Sequence, residues 1–197
     1  MSRRRYVRTT LLWAGLFSAG FAAVALLSPR PRLMWNASAS APVGLYRIVG
    51  DTAPRLGDLV AIVPPPATAR MMATRHYLPL GVPLMKHVAA LPGQQVCRVG
   101  AVIWVDGHRV AIAKSHDRLG RHLPSWQGCH RIPADELFLL NPVPDSLDGR
   151  YFGPMPAAGL IGTAIPVLTR DAPDQPLRWR GLGASAASPT ANQEHRP

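Results

Sequence analysis

Asn36-Ala37-Ser38-Ala39-Ser40-Ala41-Pro42-Val43-Gly44-Leu45-Tyr46 places two hydroxyls two residues apart, just ahead of a Pro-x-Gly turn. It is the first segment after a hydrophobic N-terminal span. A hydroxyl held on such a turn can serve as a nucleophile, provided that another group removes its proton. Read alone, Ser, Pro and Gly in a cluster mark an ordinary turn. Two later stretches bear on the choice: Leu84-Met85-Lys86-His87-Val88-Ala89-Ala90-Leu91-Pro92-Gly93 and Asp145-Ser146-Leu147-Asp148-Gly149-Arg150-Tyr151-Phe152-Gly153-Pro154.

Lys86 is the candidate base. An exposed lysine, with a pKa of about 10.4, is neutral near pH 7 in well under one molecule per thousand. Burial penalises the charged form and lowers that value. Leu84, Met85, Val88 and Ala90 flank Lys86, so a strand could set it among apolar neighbours, although a solvated strand lysine is the plainer reading. In the third stretch, Asp148 and Arg150 read either as a surface ion pair of little worth or as a support in which the Ser146 hydroxyl orients the lysine amine. His76, His87, His108, His116, His122 and His130 stand beside charged residues in polar or turn-like stretches, and His195 is near the end of the chain. No catalytic motif surrounds any of them. His87 follows Lys86 directly and on a strand points to the opposite face, so no histidine enters the catalytic set.

The 197 residues fit one domain with appendages, and 21 Pro with 17 Gly favour turns and short strands over long helices. Arg3, Arg4, Arg5 and Arg8 precede an uncharged run from Leu11 to Ser28. About 18 apolar residues are close to the minimum that spans a bilayer. Arginines ahead of such a run stay in the cytoplasm, which makes 1–10 a basic cytoplasmic segment, 11–28 a transmembrane signal anchor and 33–169 an exported domain. A cleavable signal peptide is the alternative. The net charge of +11 owes much to the anchor arginines, and the remaining charges are scattered, which argues against nucleic acid as a partner. Cys97 and Cys129 lie beyond the span, where disulfides persist, and without CxxC spacing they do not suggest a metal.

Leu59 to Val63, Lys86 to Ala90, Gln95 to Val99, Ala101 to Val105, Leu137 to Leu140 and Leu160 to Val167 read as strands, with a hairpin at Asp106-Gly107. Ala67 to Pro83 reads as a short helix and loop, and the polar Lys114 to Gln127 as an excursion tied back by Cys129. These repeated short strands predict a mainly β, antiparallel, partly closed fold. From about Arg170 the composition predicts a disordered tail, 170–197. No Gly-rich phosphate loop or heptad run occurs, and no cofactor is expected.

Together the three stretches resemble the signal peptidase I family of membrane-bound serine peptidases, and more closely its TraF-type branch, encoded with conjugative transfer systems. Ser40-Ala41-Pro42-Val43-Gly44-Leu45-Tyr46 is similar to that branch's nucleophile box, Leu84 to Val88 with Leu91-Pro92-Gly93 to its lysine box, and Asp145 to Pro154 to its third box. The resemblance covers about Leu33 to Val167. It implies a signal peptidase-like β-fold with a Ser-Lys dyad: Ser40 as nucleophile, Lys86 as general base, Ser38 with the Ser40 N–H as oxyanion site, Ser146 bonded to the lysine, and Asp148 and Arg150 as buttress. It also implies a single-pass protein of the bacterial inner membrane with its catalytic domain in the periplasm. Its substrate would be an exported pre-protein or propilin, and its partners other conjugative transfer proteins. Two departures stand out. His87 occupies a position where the family commonly has Arg, and Asn141-Pro142 replaces the Gly-Asp-Asn of housekeeping signal peptidases. Housekeeping signal peptide removal and a non-catalytic anchored β-module remain as alternatives.

Overall fold

The computed structural model describes residues 3–27, 33–50, 52–172 and 174–182. Helix α1, Arg3–Leu27, is a unit of its own. It carries no charged residue after Arg8, and with an 18-residue stretch of mean hydropathy 1.7 it is, by length and composition, long and apolar enough to cross a membrane. The helix starts eight residues before the expected span, because the arginine segment continues the same helical backbone.

From Leu33 the chain is mainly β. In order it forms β1 Leu33–Asn36, β2 Gly44–Val49, β3 Leu59–Ile62, α2 Pro66–Thr74, β4 Leu84–Ala90, β5 Gln95–Val99, β6 Val102–Val105 and β7 His108–Ile112. β8 Gly128–Arg131, β9 Glu136–Leu140, α3 Gly149–Phe152, β10 Met155–Pro156, β11 Leu160–Thr169 and β12 Arg178–Trp179 follow. A curled antiparallel sheet runs β1-β2-β11-β3-β4-β9-β10, with β12 also on β11, and a second sheet runs β7-β6-β5-β8. This is the expected antiparallel β-fold.

Alternation explains the burial. Along β2 every second residue, Gly44, Tyr46 and Ile48, turns inward, as period-two geometry requires. β4 is covered on both faces: Leu84 and Val88 join a core with Val60, Ile62, Leu137 and Leu139, while Met85 packs with Tyr46, Ile48, Ala61 and Ala164. Each large apolar side chain buried this way contributes about 1.5–3 kcal/mol. Gly44 is required where it stands, because its φ is +151° and a Cβ there would lie 2.1 Å from the Leu168 carbonyl oxygen. The Asp106-Gly107 turn has φ of 46° and 79°, the left-handed pair that a tight hairpin takes.

Cys97 and Cys129 face each other on β5 and β8 and form a disulfide. Closing this loop stabilises the domain by about 3–4 kcal/mol in the chain-entropy account. The expected tail begins too early. β12 pairs with Leu168 and Thr169, the Arg180 N–H donates to the Val167 carbonyl, and the Arg170 N–H donates to that of Val43. Main-chain pairing orders this polar segment where composition pointed to disorder, and residues 183–197 lie outside the described residues.

Candidate active site

The serine turn joins β1 to β2, and Asn36 shapes it. Its buried amide donates to the carbonyls of Ser38, Ala41 and Pro42 at 2.9, 3.0 and 3.1 Å, and its Oδ1 accepts the Ser38 N–H at 3.0 Å. The Tyr46 hydroxyl holds the Pro42 carbonyl at 2.6 Å, and burial pushes that phenol's pKa up, so it remains a donor. On this frame Ser38 Oγ lies 2.8 Å from Ser40 Oγ, and the Ser40 N–H donates to Ser38 Oγ at 3.3 Å. Ser40 lines a cavity of about 580 Å³ whose walls include Ala41, Val43, Leu59, His87 and Val143.

Lys86 lies in the middle of β4, paired with Val60 on β3, and is 4% exposed. Its Nζ donates to Ser146 Oγ at 2.7 Å. Burial lowers its pKa to about 8; the nearby Asp148 carboxylate opposes that shift and the Arg150 guanidinium adds to it. The Asp148–Arg150 pair is thus no surface pair. Asp148 Oδ2 accepts Arg150 Nη1 at 3.2 Å and the Asn141 N–H at 3.0 Å, while Oδ1 accepts the Arg150 N–H at 3.1 Å. Arg150 also donates to the carbonyls of Asn141, Val143 and Ser146, so it gathers the whole 141–146 segment around the amine. Burial pushes the Asp148 carboxyl up, against the pull of Arg150 and of those N–H donors. Gly149 permits the close packing, since a Cβ there would meet the Phe138 ring at 2.6 Å.

The structure therefore brings the predicted residues together as two groups, Ser38 with Ser40 and Lys86 with Ser146, Asp148 and Arg150. Among the described residues no hydrogen bond joins Ser40 to Lys86, and the cavity wall at this point is His87. Sequence reasoning missed the part played by two asparagines. Asn36 receives no role from the sequence. Asn141 was read only as a departure from the housekeeping pattern. Its Nδ2 donates to the Met85 carbonyl at 3.0 Å, and its Oδ1 accepts the His87 N–H at 3.2 Å and meets His87 Nδ1 at 3.0 Å. It thereby grips the backbone on both sides of Lys86. A polar residue ending the apolar run Leu137 to Leu140 was the available signal.

Residues 3–168 match the family described as Signal peptidase, peptidase S26. The chain belongs to that family. Within it, the chain is 41% identical to the "Probable conjugal transfer protein TraF" of Sinorhizobium fredii, over 85% of this chain and 94% of the relative. It is 37% identical to the conjugal transfer protein TraF of Agrobacterium fabrum, over 87% and 99%, and 35% identical to the plasmid transfer protein TraF of Escherichia coli, over 68% and 81%. A solved signal peptidase I of Enterococcus faecalis aligns with a TM-score of 0.35 and 20% identity, over 57% of this chain and 97% of that one.

Proposed function

We propose that the chain is a serine endopeptidase of the inner membrane, anchored by residues 11–28 with residues 33–169 in the periplasm, that processes a propilin or related exported component of a conjugative transfer system. The observation that carries this reading is the Lys86 amine, which is buried, bonded to Ser146 and lowered to about 8. A lysine in that state is neutral often enough near pH 7 to act as a base. Ser40 Oγ attacks the scissile carbonyl while Lys86 Nζ takes its proton. Collapse of the tetrahedral adduct breaks the C–N bond, the leaving amine takes the proton from Lys86, and an acyl ester remains on Ser40. Water then attacks the ester, giving its proton to Lys86, and Ser40 Oγ recovers that proton as the product carboxyl leaves. The Ser40 N–H and the Ser38 hydroxyl, which bond each other in the free protein, turn to the developing oxyanion. Catalytic hydrogen bonds are commonly long or poorly aligned before substrate binds, and on this reading the Ser40–Lys86 bond forms in the complex. The TraF relatives support the conjugative substrate.

A second reading has one observation in its favour: Ser40 and His87 line the same cavity. The Asn141 amide is oriented by its bond to the Met85 carbonyl, so its Oδ1 faces His87 and the ring proton sits on Nδ1. In a neutral ring Nε2 is then the acceptor, the form a histidine base needs. Cleavage of a purified cognate propilin precursor by folded Lys86→Ala and His87→Ala chains decides between them. The Ser-Lys reading expects Lys86→Ala to be inactive and His87→Ala active, with wild-type activity rising as pH passes through about 8. Normal turnover in Lys86→Ala, or its loss in a folded His87→Ala, would overturn it.

A further inference from the structure

The second sheet reaches the lysine cluster through two donors. Arg98, on β5 and buried, donates from Nη1 to the Arg150 carbonyl at 2.6 Å, and its Nε is held by the Gly100 carbonyl at 3.1 Å. Trp126, just before β8, donates from Nε1 to the Gly149 carbonyl at 2.9 Å, with its ring edge-on to Phe138. These are successive carbonyls of α3, the turn that presents Arg150 to Asp148 and to the 141–146 segment. The disulfide Cys97–Cys129 staples β5 to β8 next to both donors: Arg98 is on β5 beside Cys97, and Trp126 lies in the segment leading into β8, three residues before Cys129.

We infer that Arg98 and Trp126 are positioning residues for the peptidase site: by holding the Gly149 and Arg150 carbonyls they press α3 onto β9, the neighbour of β4, and keep water from the Lys86 amine. The inference rests on the reading of Lys86 as the base. The charged groups facing that amine are Asp148 and Arg150, both from the α3 side. Its partner on β3 is Val60, and β9 presents Leu139 and Leu140 before Asn141. Dehydration is the largest influence on Lys86, so a loosened α3 admits water and moves the amine back toward ordinary lysine behaviour. A brace that merely adds stability would lower the yield of folded protein and leave the titration of Lys86 where it was.

The chain has two lysines, Lys86 and Lys114, so the amine can be followed directly. The full chain in detergent micelles, labelled in the lysine side chain, is titrated by NMR, with Lys114→Arg assigning the second signal. Trp126→Phe keeps the ring contacts and loses the N–H, Arg98→Met loses the guanidinium donors, and Arg98→Lys restores a cationic donor. The expected result is an upward displacement of the Lys86 midpoint by about 0.5–1 pH unit in Trp126→Phe and Arg98→Met, partly reversed in Arg98→Lys. Cleavage of propilin precursor at pH 7 then falls about 3–10-fold and recovers near pH 9. A Lys86 midpoint equal to wild type in either folded variant overturns the inference. The two donors are independent, so a chain that fails to fold leaves the other to decide. Because the titration needs no catalysis, its outcome is separate from that of Lys86→Ala: normal turnover there removes the base, whereas an unmoved midpoint removes only the brace.

Discussion

The serine turn and the lysine cluster solve opposite problems in the same domain. Ser38 is exposed and Ser40 half-buried, on a loop whose rigidity comes from one asparagine amide spread over four backbone groups. Lys86, Asp148 and Arg150 are each at most 4% exposed, and nearly every polar atom around them is matched by a partner from the same segment. On the proposed mechanism the nucleophile is thus kept reachable by substrate, and the base is kept dry. Shape is sufficient for a hydroxyl, which is neutral at pH 7 in any setting. An amine must lose its charge, and here burial, helped by the Arg150 guanidinium, favours the neutral form.

The largest effects test whether the two regions act as one site. Ser40→Ala and Lys86→Arg should each reduce cleavage of propilin precursor by roughly 1,000-fold or more with the fold intact by circular dichroism, since a guanidinium keeps its proton. Activity near wild type in either would separate the regions. Replacing Asp148 by Ala leaves the buried Arg150 unpaired and should cost about 3–5 kcal/mol in urea unfolding; the same experiment on Ser40→Ala should read within about 0.5 kcal/mol of wild type. Equal costs would mean that the two regions do not differ in burial as described. Ser38→Ala should leave a residual activity, with turnover down about 100–1,000-fold at nearly unchanged stability.

The smallest effect has the most diagnostic sign. The folded-state pKa of Lys86 lies below its ordinary value, so between about 8 and 10.5 the unfolded chain binds more protons and stability rises with pH. Below about 8 the full cost of the buried charge, on the order of 3 kcal/mol, is present. Lys86→Met removes that cost and loses the bond to Ser146, worth about 1 kcal/mol. It should therefore melt above wild type at pH 7, with the difference shrinking as pH rises past about 8. A Lys86→Met chain less stable than wild type at pH 7 would mean that the amine is not strained by burial.

Much of this protein was legible in its sequence because the relevant physics is local. Apolar runs set β3, β4, β9 and β11 to within a few residues, Asp106-Gly107 set the hairpin, and an uncharged run behind four arginines set α1. The residues proposed for the site come from three short boxes, each of which carries its own group, the hydroxyls of Ser38 and Ser40, the amine of Lys86 and the Asp148–Arg150 pair, within a few positions. The environment of those residues was not legible. Asp148 and Arg150 read equally well as a surface pair, and they are buried in the fold, where α3 packs closely on Phe138 and Leu139. The work of Asn141, Arg98 and Trp126 depends on partners 52 to 56 residues away for Arg98 and Asn141 and 23 for Trp126. The pairing of β12 depends on an edge of β11 that exists only once the sheet has formed. Composition and spacing determine which groups a segment can offer. Whether an amine is dry, or a carbonyl held, is decided by what the rest of the chain places against it.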